Sequence, residues 1–250
     1  ISGGGIGAQR VSDVVIDANG DIHVSATTQN NIRFGTNVYS VVGTQDSFIV
    51  KVTSAGTVQS ITGYGIPGQD VSLSKMALDN SGDLYVGGSF EGTMSKNGWS
   101  ITANKGGPDV FFIKEGTTAS NQWAATGGTN AADGISGMEV NSKGEIIFMS
   151  PFISSTFTAG TKGATPTSSN WATIDADTLV GGINSNGGWS WLDVTASSSL
   201  ELGWDLALNS SDVAAVIGSF AGPSPATISK GSNTVTSTGG WDIFVWALDP

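Results

Sequence analysis

Val14-Val15-Ile16-Asp17-Ala18-Asn19-Gly20-Asp21-Ile22-His23-Val24 decides the fold, because the same pattern returns three times along the chain. Its copies are Met76-Ala77-Leu78-Asp79-Asn80-Ser81-Gly82-Asp83-Leu84-Tyr85-Val86, Met138-Glu139-Val140-Asn141-Ser142-Lys143-Gly144-Glu145-Ile146-Ile147-Phe148 and Leu206-Ala207-Leu208-Asn209-Ser210-Ser211-Asp212-Val213-Ala214-Ala215-Val216. Asp17, Asp79, Asn141 and Asn209 are spaced by 62, 62 and 68 residues. Each copy places apolar residues in alternation on both sides of an Asx-led turn. That is a β-hairpin pattern, with glycine in the first three copies supplying the positive φ the turn needs.

Working outward, a second element follows at the same period. It reads Asp46-Ser47-Phe48-Ile49-Val50-Lys51, then Asp109-Val110-Phe111-Phe112-Ile113-Lys114, Asp177-Thr178-Leu179-Val180 and Asp242-Ile243-Phe244-Val245-Trp246. A further strand pattern ends each of the first three units, at 58–65, 122–128 and 189–194. Units of about 64 residues with four strands and no sustained helical period predict an all-β, four-bladed β-propeller of antiparallel blades. The expected single domain spans 1–250, with blades at roughly 5–65, 66–128, 129–194 and 195–250 plus 1–4. The long connections 28–45, 90–108, 152–176 and 220–241 are expected on one face. The pattern Thr93–Ile101 around Asn97-Gly98 reads as an extra hairpin.

Composition fits a large β domain. Glycine is 36 of 250 residues, only 12% of residues are charged, and eight Trp and ten Phe can fill a core. The net charge of −11 disfavours nucleic acid and anionic lipid as partners. With no cysteine, disulfides, thiolate metal sites and thiol nucleophiles are excluded. The apolar runs are too short for a membrane-spanning helix, so no membrane insertion is expected. Because the chain begins at Ile1, the expectation is a processed form or a segment of something longer.

Asp79–Gly88 and Asp46–Lys51 resemble the bacterial β-propeller repeat family often called SBBP. Its pattern couples an Asp-x-x-Gly-Asn-x-Tyr-Val-x-Gly hairpin to a Gly-x-Asp-x-Phe-Val-x-Lys strand. The third and fourth hairpins depart from it. The resemblance implies a propeller and a secreted or cell-surface location, and it assigns no activity.

Candidate chemistry is sparse. His23 is the single histidine and alternates with Ile22 and Val24, which reads as a sheet-face residue rather than part of a triad or metal set. Gly3-Gly4-Gly5-Ile6-Gly7-Ala8 superficially fits a dinucleotide loop but precedes a strand pattern where that loop requires a helix. Asp17, Asn19 and Asp21, and again Asp79 and Asp83, alternate like the first ligands of a calcium loop. The remaining ligands of such a loop are missing, so an ordinary Asx turn is the simpler reading, with calcium as a possible cofactor. The repeated Asp46, Asp109, Asp177 and Asp242 read as backbone caps, or alternatively as a carboxylate ring around one cation. Asn30, Asn31, Trp99, Trp171 and Asp175 sit in the long connections, where they could bind a ligand or partner, while Trp also fills gaps between blades.

Three functions are compatible with these residues. The first is a non-catalytic extracellular module for adhesion, protein interaction or self-assembly. The second is a lectin-like propeller. The third, a glycan-active hydrolase or lyase, needs two carboxylates facing each other across a channel. Closure is the sharpest structural expectation. Ile1-Ser2-Gly3-Gly4 aligns with the end of an outer strand, so residues 1–5 are expected to pair beside Asp242–Leu248. The alternative is that a neighbouring chain supplies the missing strand.

Overall fold

A computed structural model describes residues 2–96, 98–116, 118–153, 155–165, 176–197, 200–222, 227–230 and 232–248. The repeat pattern folds as a series of antiparallel sheets. Unit 1 contains β1 (Gln9–Ile16), β2 (Ile22–Thr28), β3 (Ile32–Phe34), β4 (Asn37–Tyr39), β5 (Asp46–Val52) and β6 (Val58–Tyr64). Unit 2 contains β7 (Val71–Leu78), β8 (Leu84–Phe90), β9 (Thr93–Lys96), β10 (Trp99–Thr102), β11 (Asp109–Glu115) and β12 (Trp123–Gly127). Unit 3 contains β13 (Gly137–Val140), β14 (Ile146–Ile153), β15 (Phe157–Ala159), β16 (Lys162–Ala164), β17 (Ala176–Ile183) and β18 (Trp189–Val194). A short β19 (Ala196–Ser197) leads to unit 4, with β20 (Leu200–Leu208), β21 (Ala214–Ala221), β22 (Thr227–Lys230), β23 (Asn233–Thr236) and β24 (Trp241–Leu248).

Units 1 to 3 each form a four-stranded sheet in chain order, and unit 4 a three-stranded one among the described residues. The inserted pairs β3–β4, β9–β10, β15–β16 and β22–β23 are hairpins within the long connections. The Asx turns behave as the sequence requires. Gly20, Gly82 and Gly144 have φ of 76°, 81° and 74°, and the fourth copy holds Asp212 in the same slot at φ 63°.

Period-two alternation gives every sheet two faces. One carries Val24, Phe48 and Val50 and their equivalents, here called the front. The other carries His23, Ser25 and Ile49 and their equivalents, called the back. The back of each sheet packs on the front of the next. Ile49 and Tyr64 of unit 1 cluster with Val86, Phe90, Phe111 and Ile113 of unit 2. Tyr85 and Phe112 cluster with Ile146, Phe148 and Leu179 of unit 3. Ile147, Met149 and Val180 cluster with Leu206, Val216 and Phe244 of unit 4. As expected, Phe48, Phe111, Leu179 and Phe244 are all buried.

The hairpins fold down over the front of their own sheets rather than standing free. Ile32 joins Phe48 and Val50, Met94 and Ile101 join Phe111, Phe157 joins Phe148, and Ile228 joins Phe244.

The expected pairing of the N-terminal segment with Asp242–Leu248 does not form. Gly4 and Arg33 instead exchange backbone hydrogen bonds of 3.1 and 3.0 Å, against the unit 1 hairpin. Among the described residues β24 pairs with β21 alone. The reason lies in the repeat itself. Gly128, at the end of β12, makes the same exchange with Thr158 of the next hairpin, and β19 pairs with β22 in unit 4. The segment that follows an outer strand thus belongs to the next unit's hairpin, and residues 2–5 obey that rule.

Candidate functional site

The Asx turns and the third strands are locked together by lysine. Lys51 Nζ on β5 lies 3.1 Å from Asp17 Oδ2 and 3.3 Å from Asp21 Oδ2. Lys114 on β11 is equivalent, 3.6 Å from Asp79 Oδ2 and 3.0 Å from Asp83 Oδ2. Each first carboxylate also accepts two backbone N–H groups, from Asn19 and Asp21 in one turn and from Ser81 and Asp83 in the other. His23 Nε2 lies 3.4 Å from Asp17 Oδ2, and Tyr85 donates to Asp79 Oδ2. Burial pushes the Asp17 carboxyl up, but the bonds from Lys51, the two backbone N–H groups and His23 outweigh it and hold the group at about 2.

In both turns an ammonium group occupies the place a cation would take. Units 3 and 4 replace the first Asp by Asn141 and Asn209 and the Lys by Gly182 and Ala247, so the lysine is lost together with the first carboxylate, while unit 3 keeps Glu145, which accepts from Asn141 Nδ2 at 2.8 Å. That coupled change was readable in the repeat and is the signal the sequence reading passed over.

The repeated Asp at the head of the third strand caps its own long connection. Asp46 accepts from Tyr39 Oη at 2.6 Å and from the N–H groups of Val42 and Gly43. Asp109 accepts from Asn104 N–H and Asp242 from Thr238 N–H. Beside Asp109 lies Asp133, which accepts from Thr129 through both its N–H and its Oγ1. Burial pushes Asp133 up to about 6; the two bonds from Thr129 work against that shift, and the Asp109 charge adds to it. Both carboxyls are buried, so this pair is sequestered from any substrate.

The first strands line a groove of about 450 Å³ carrying Asp13, Lys75, Glu139 and Asp205, one charge from each unit. Lys75 Nζ bonds Asp205 Oδ1 at 3.1 Å, and Asp13 accepts the N–H groups of Val14 and Met76. Sequence reading did not single out these four. Among the described residues no group of three or more His, Asp or Glu is arranged to hold a metal.

Of the candidates in the long connections, Asn31 Oδ1 accepts Val41 N–H across the base of the unit 1 hairpin. Asn30 is exposed, and Trp99 packs on the cluster between units 1 and 2. Trp171 and Asp175 lie outside the described residues, as does much of the connection 152–176. Gly3 packs on Phe34 and a strand follows, so the glycine-rich start is not a nucleotide loop.

The residues that stand out sit on the front of unit 1 and the back of unit 4. Val14 is 55% exposed, whereas its equivalents Met76, Met138 and Leu206 are each 4% exposed. Val245 is 65% exposed, whereas Ile49, Phe112 and Val180 are at 4%, 0% and 3%. Val11 and Ile16 continue the bare front of unit 1, and Ile217 and Ile243 the bare back of unit 4. Above the unit 1 front lies an apolar groove of about 290 Å³, lined by Val11, Val24, Ala26, Phe34, Phe48 and Val50 among others.

Compared with known protein families and with curated proteins, the chain matches no family model and no curated protein. Among the described residues no helix is long and apolar enough to cross a membrane.

Proposed function

We propose that the chain is a non-catalytic, propeller-type repeat module that acts by binding protein through its end faces, as an extracellular or cell-surface interaction and assembly element. One observation carries this reading: side chains that are buried in every internal unit are bare on the front of unit 1 and the back of unit 4. Contiguous apolar surface of this kind marks interaction sites on folded proteins. The titratable candidates point the same way, since Asp17, Asp46, Asp79, Asp109 and Asp133 each hold local structure. The SBBP-like motifs and the low share of charged residues favour a secreted location.

A glycan array read with and without calcium tests the reading against its lectin-like alternative. The expected result is no sugar binding in either condition. Binding to a defined sugar that is lost on mutation of Trp99 or Asn30 would replace the present reading.

A further inference from the structure

We infer that the junction of units 1 and 2 is a socket for one aromatic ring, an indole or a phenol, presented by a partner protein. The socket is a groove of about 200 Å³ between the back of unit 1 and the first hairpin of unit 2. It reaches the outer strand β6 and uses neither of the bare faces described above, so the inference goes beyond the reading built on them.

The other junctions show how the groove arises. Tyr85 and Trp123 flank Lys114 across their sheet, and the same places beside Lys51 in unit 1 hold His23 and Ser60. In unit 2, Tyr85 meets Trp123 edge-on with centroids 6.1 Å apart, and Lys114 Nζ lies 5.0 Å from the Tyr85 centroid. Trp123 reaches across to unit 3. Its Nε1 donates to Ser185 O at 2.9 Å, and its ring lies against Gly187. Trp191 takes the same place in unit 3, opposite Gly182, and packs on the cluster shared with unit 4. Two junctions are thus sealed by an indole from the outer strand. The first is left open, because both aromatic positions carry smaller, polar side chains.

What remains suits a ring from outside. Ile49 and Leu84 offer apolar contact, while Ser60 and Thr62 bring hydroxyl oxygens that can accept the ring's N–H or O–H. Lys51, held by Asp17 and Asp21, faces no Phe, Tyr or Trp ring among the described residues, so its cation–π capacity is open to an incoming one. One wall is set in advance. Tyr64 donates to Glu115 Oε1 at 2.8 Å, and Lys96 bonds the same oxygen at 2.6 Å while lying over the Tyr64 ring. A wall fixed before binding lowers the ordering cost. These charges are paired within the chain, which favours a neutral ring over an ion. The groove also falls below the roughly 300–1,000 Å³ of sites that enclose a whole small molecule, so a single side chain is the occupant it fits. Trp and Tyr are the side chains that most often anchor a protein interface by filling such a pocket.

The single histidine makes the test direct, because His23 lines the groove and its ring protons have no other source in the chain. N-acetyltryptophanamide, added to the whole chain, is expected to shift the His23 signals saturably in proton NMR, with a dissociation constant on the order of 1 mM. An end-blocked Gly-Gly-Trp-Gly-Gly peptide is expected to give the same shift, and N-acetylleucinamide none. Ser60→Trp supplies the residue that seals the other two junctions. It is expected to keep its circular dichroism and to weaken binding more than about 10-fold. Ser60→Phe fills the groove with a smaller ring and is expected to do the same, which keeps the test intact should the indole disturb folding. No shift with N-acetyltryptophanamide, or a shift that survives these substitutions, overturns the socket. An equal shift with N-acetylleucinamide overturns the preference for a ring. Binding of free indole without binding of the peptide overturns a partner protein as the source of the ring.

Discussion

At the scale of single residues, the charges of this chain are chiefly structural. Lys114 is buried beside Asp83, which is also buried, so removing it leaves carboxylates without their counter-charge. Lys114→Ala is expected to cost about 3–5 kcal/mol in urea unfolding, the range for breaking a buried pair. Adding Asp79→Asn should recover part of that loss, because the Asn141 and Asn209 turns stand without a lysine. Asp133 carries a pH signature. In the folded chain it keeps its proton up to about pH 6, whereas the unfolded carboxyl loses it near 3.8. Between those values the folded state binds more protons. The contribution of Asp133 to stability is therefore fully present below about pH 4, falls by roughly 3 kcal/mol as pH rises to about 6, and levels off above. Asp133→Asn should flatten that slope in thermal melts between pH 4 and 7. Asp212 shows why the fourth turn breaks the glycine rule. Its carboxylate accepts from Ser142 N–H and Oγ, which ties the turn of unit 4 to that of unit 3 and offsets the positive φ.

At the scale of elements, equivalent positions carry different weights according to what covers them. Phe111 sits in the middle of its sheet and packs edge-on against Phe90 with centroids 5.7 Å apart. Phe111→Ala is expected to cost about 3–5 kcal/mol. Val245→Ala, one strand position on in the repeat but solvent-facing in a single copy, should change monomer stability by less than about 0.5 kcal/mol. Urea midpoints of the two variants, taken where the protein is monomeric, check the contrast. The hairpins belong to the same accounting, because Ile32, Met94, Phe157 and Ile228 plug the outer halves of the sheet fronts. The long connections are therefore core elements as much as surface loops. The sequence did not show this because three- and four-residue strands leave too short an alternation to reveal which side is buried.

At the scale of the whole molecule, the first strands of all four units gather round one groove that carries Asp13, Lys75, Glu139 and Asp205. In the same frame the turn sites are already neutralised. Adding millimolar calcium, or removing it with a chelator, should therefore move the melting midpoint by less than about 4 °C, since binding worth under about 1 kcal/mol shifts a chain of this size no further. A larger rise would reinstate Asp17, Asn19, Asp21, Asp79 and Asp83 as cation ligands.

The amino-acid sequence alone determined the repeat, its strands, the glycine-bearing turns and the buried third-strand residues Phe48, Phe111, Leu179 and Phe244. These follow from period-two alternation and turn chemistry, which are local and survive in each copy. It even held the alignment of Gly3-Gly4 with Gly127-Gly128, which Gly4 and Gly128 confirm in their pairing with Arg33 and Thr158. What that alignment could not say was which neighbour the segment would join. Only the tertiary structure decided that residues 2–5 lie on the unit 1 hairpin, that Lys51 and Lys114 close the Asx turns, and that Val14 and Val245 are bare where their equivalents are buried. Each of these depends on contacts between segments far apart in the chain. Alternation marks a side chain as apolar on one face, but only the packed arrangement shows whether another sheet covers it.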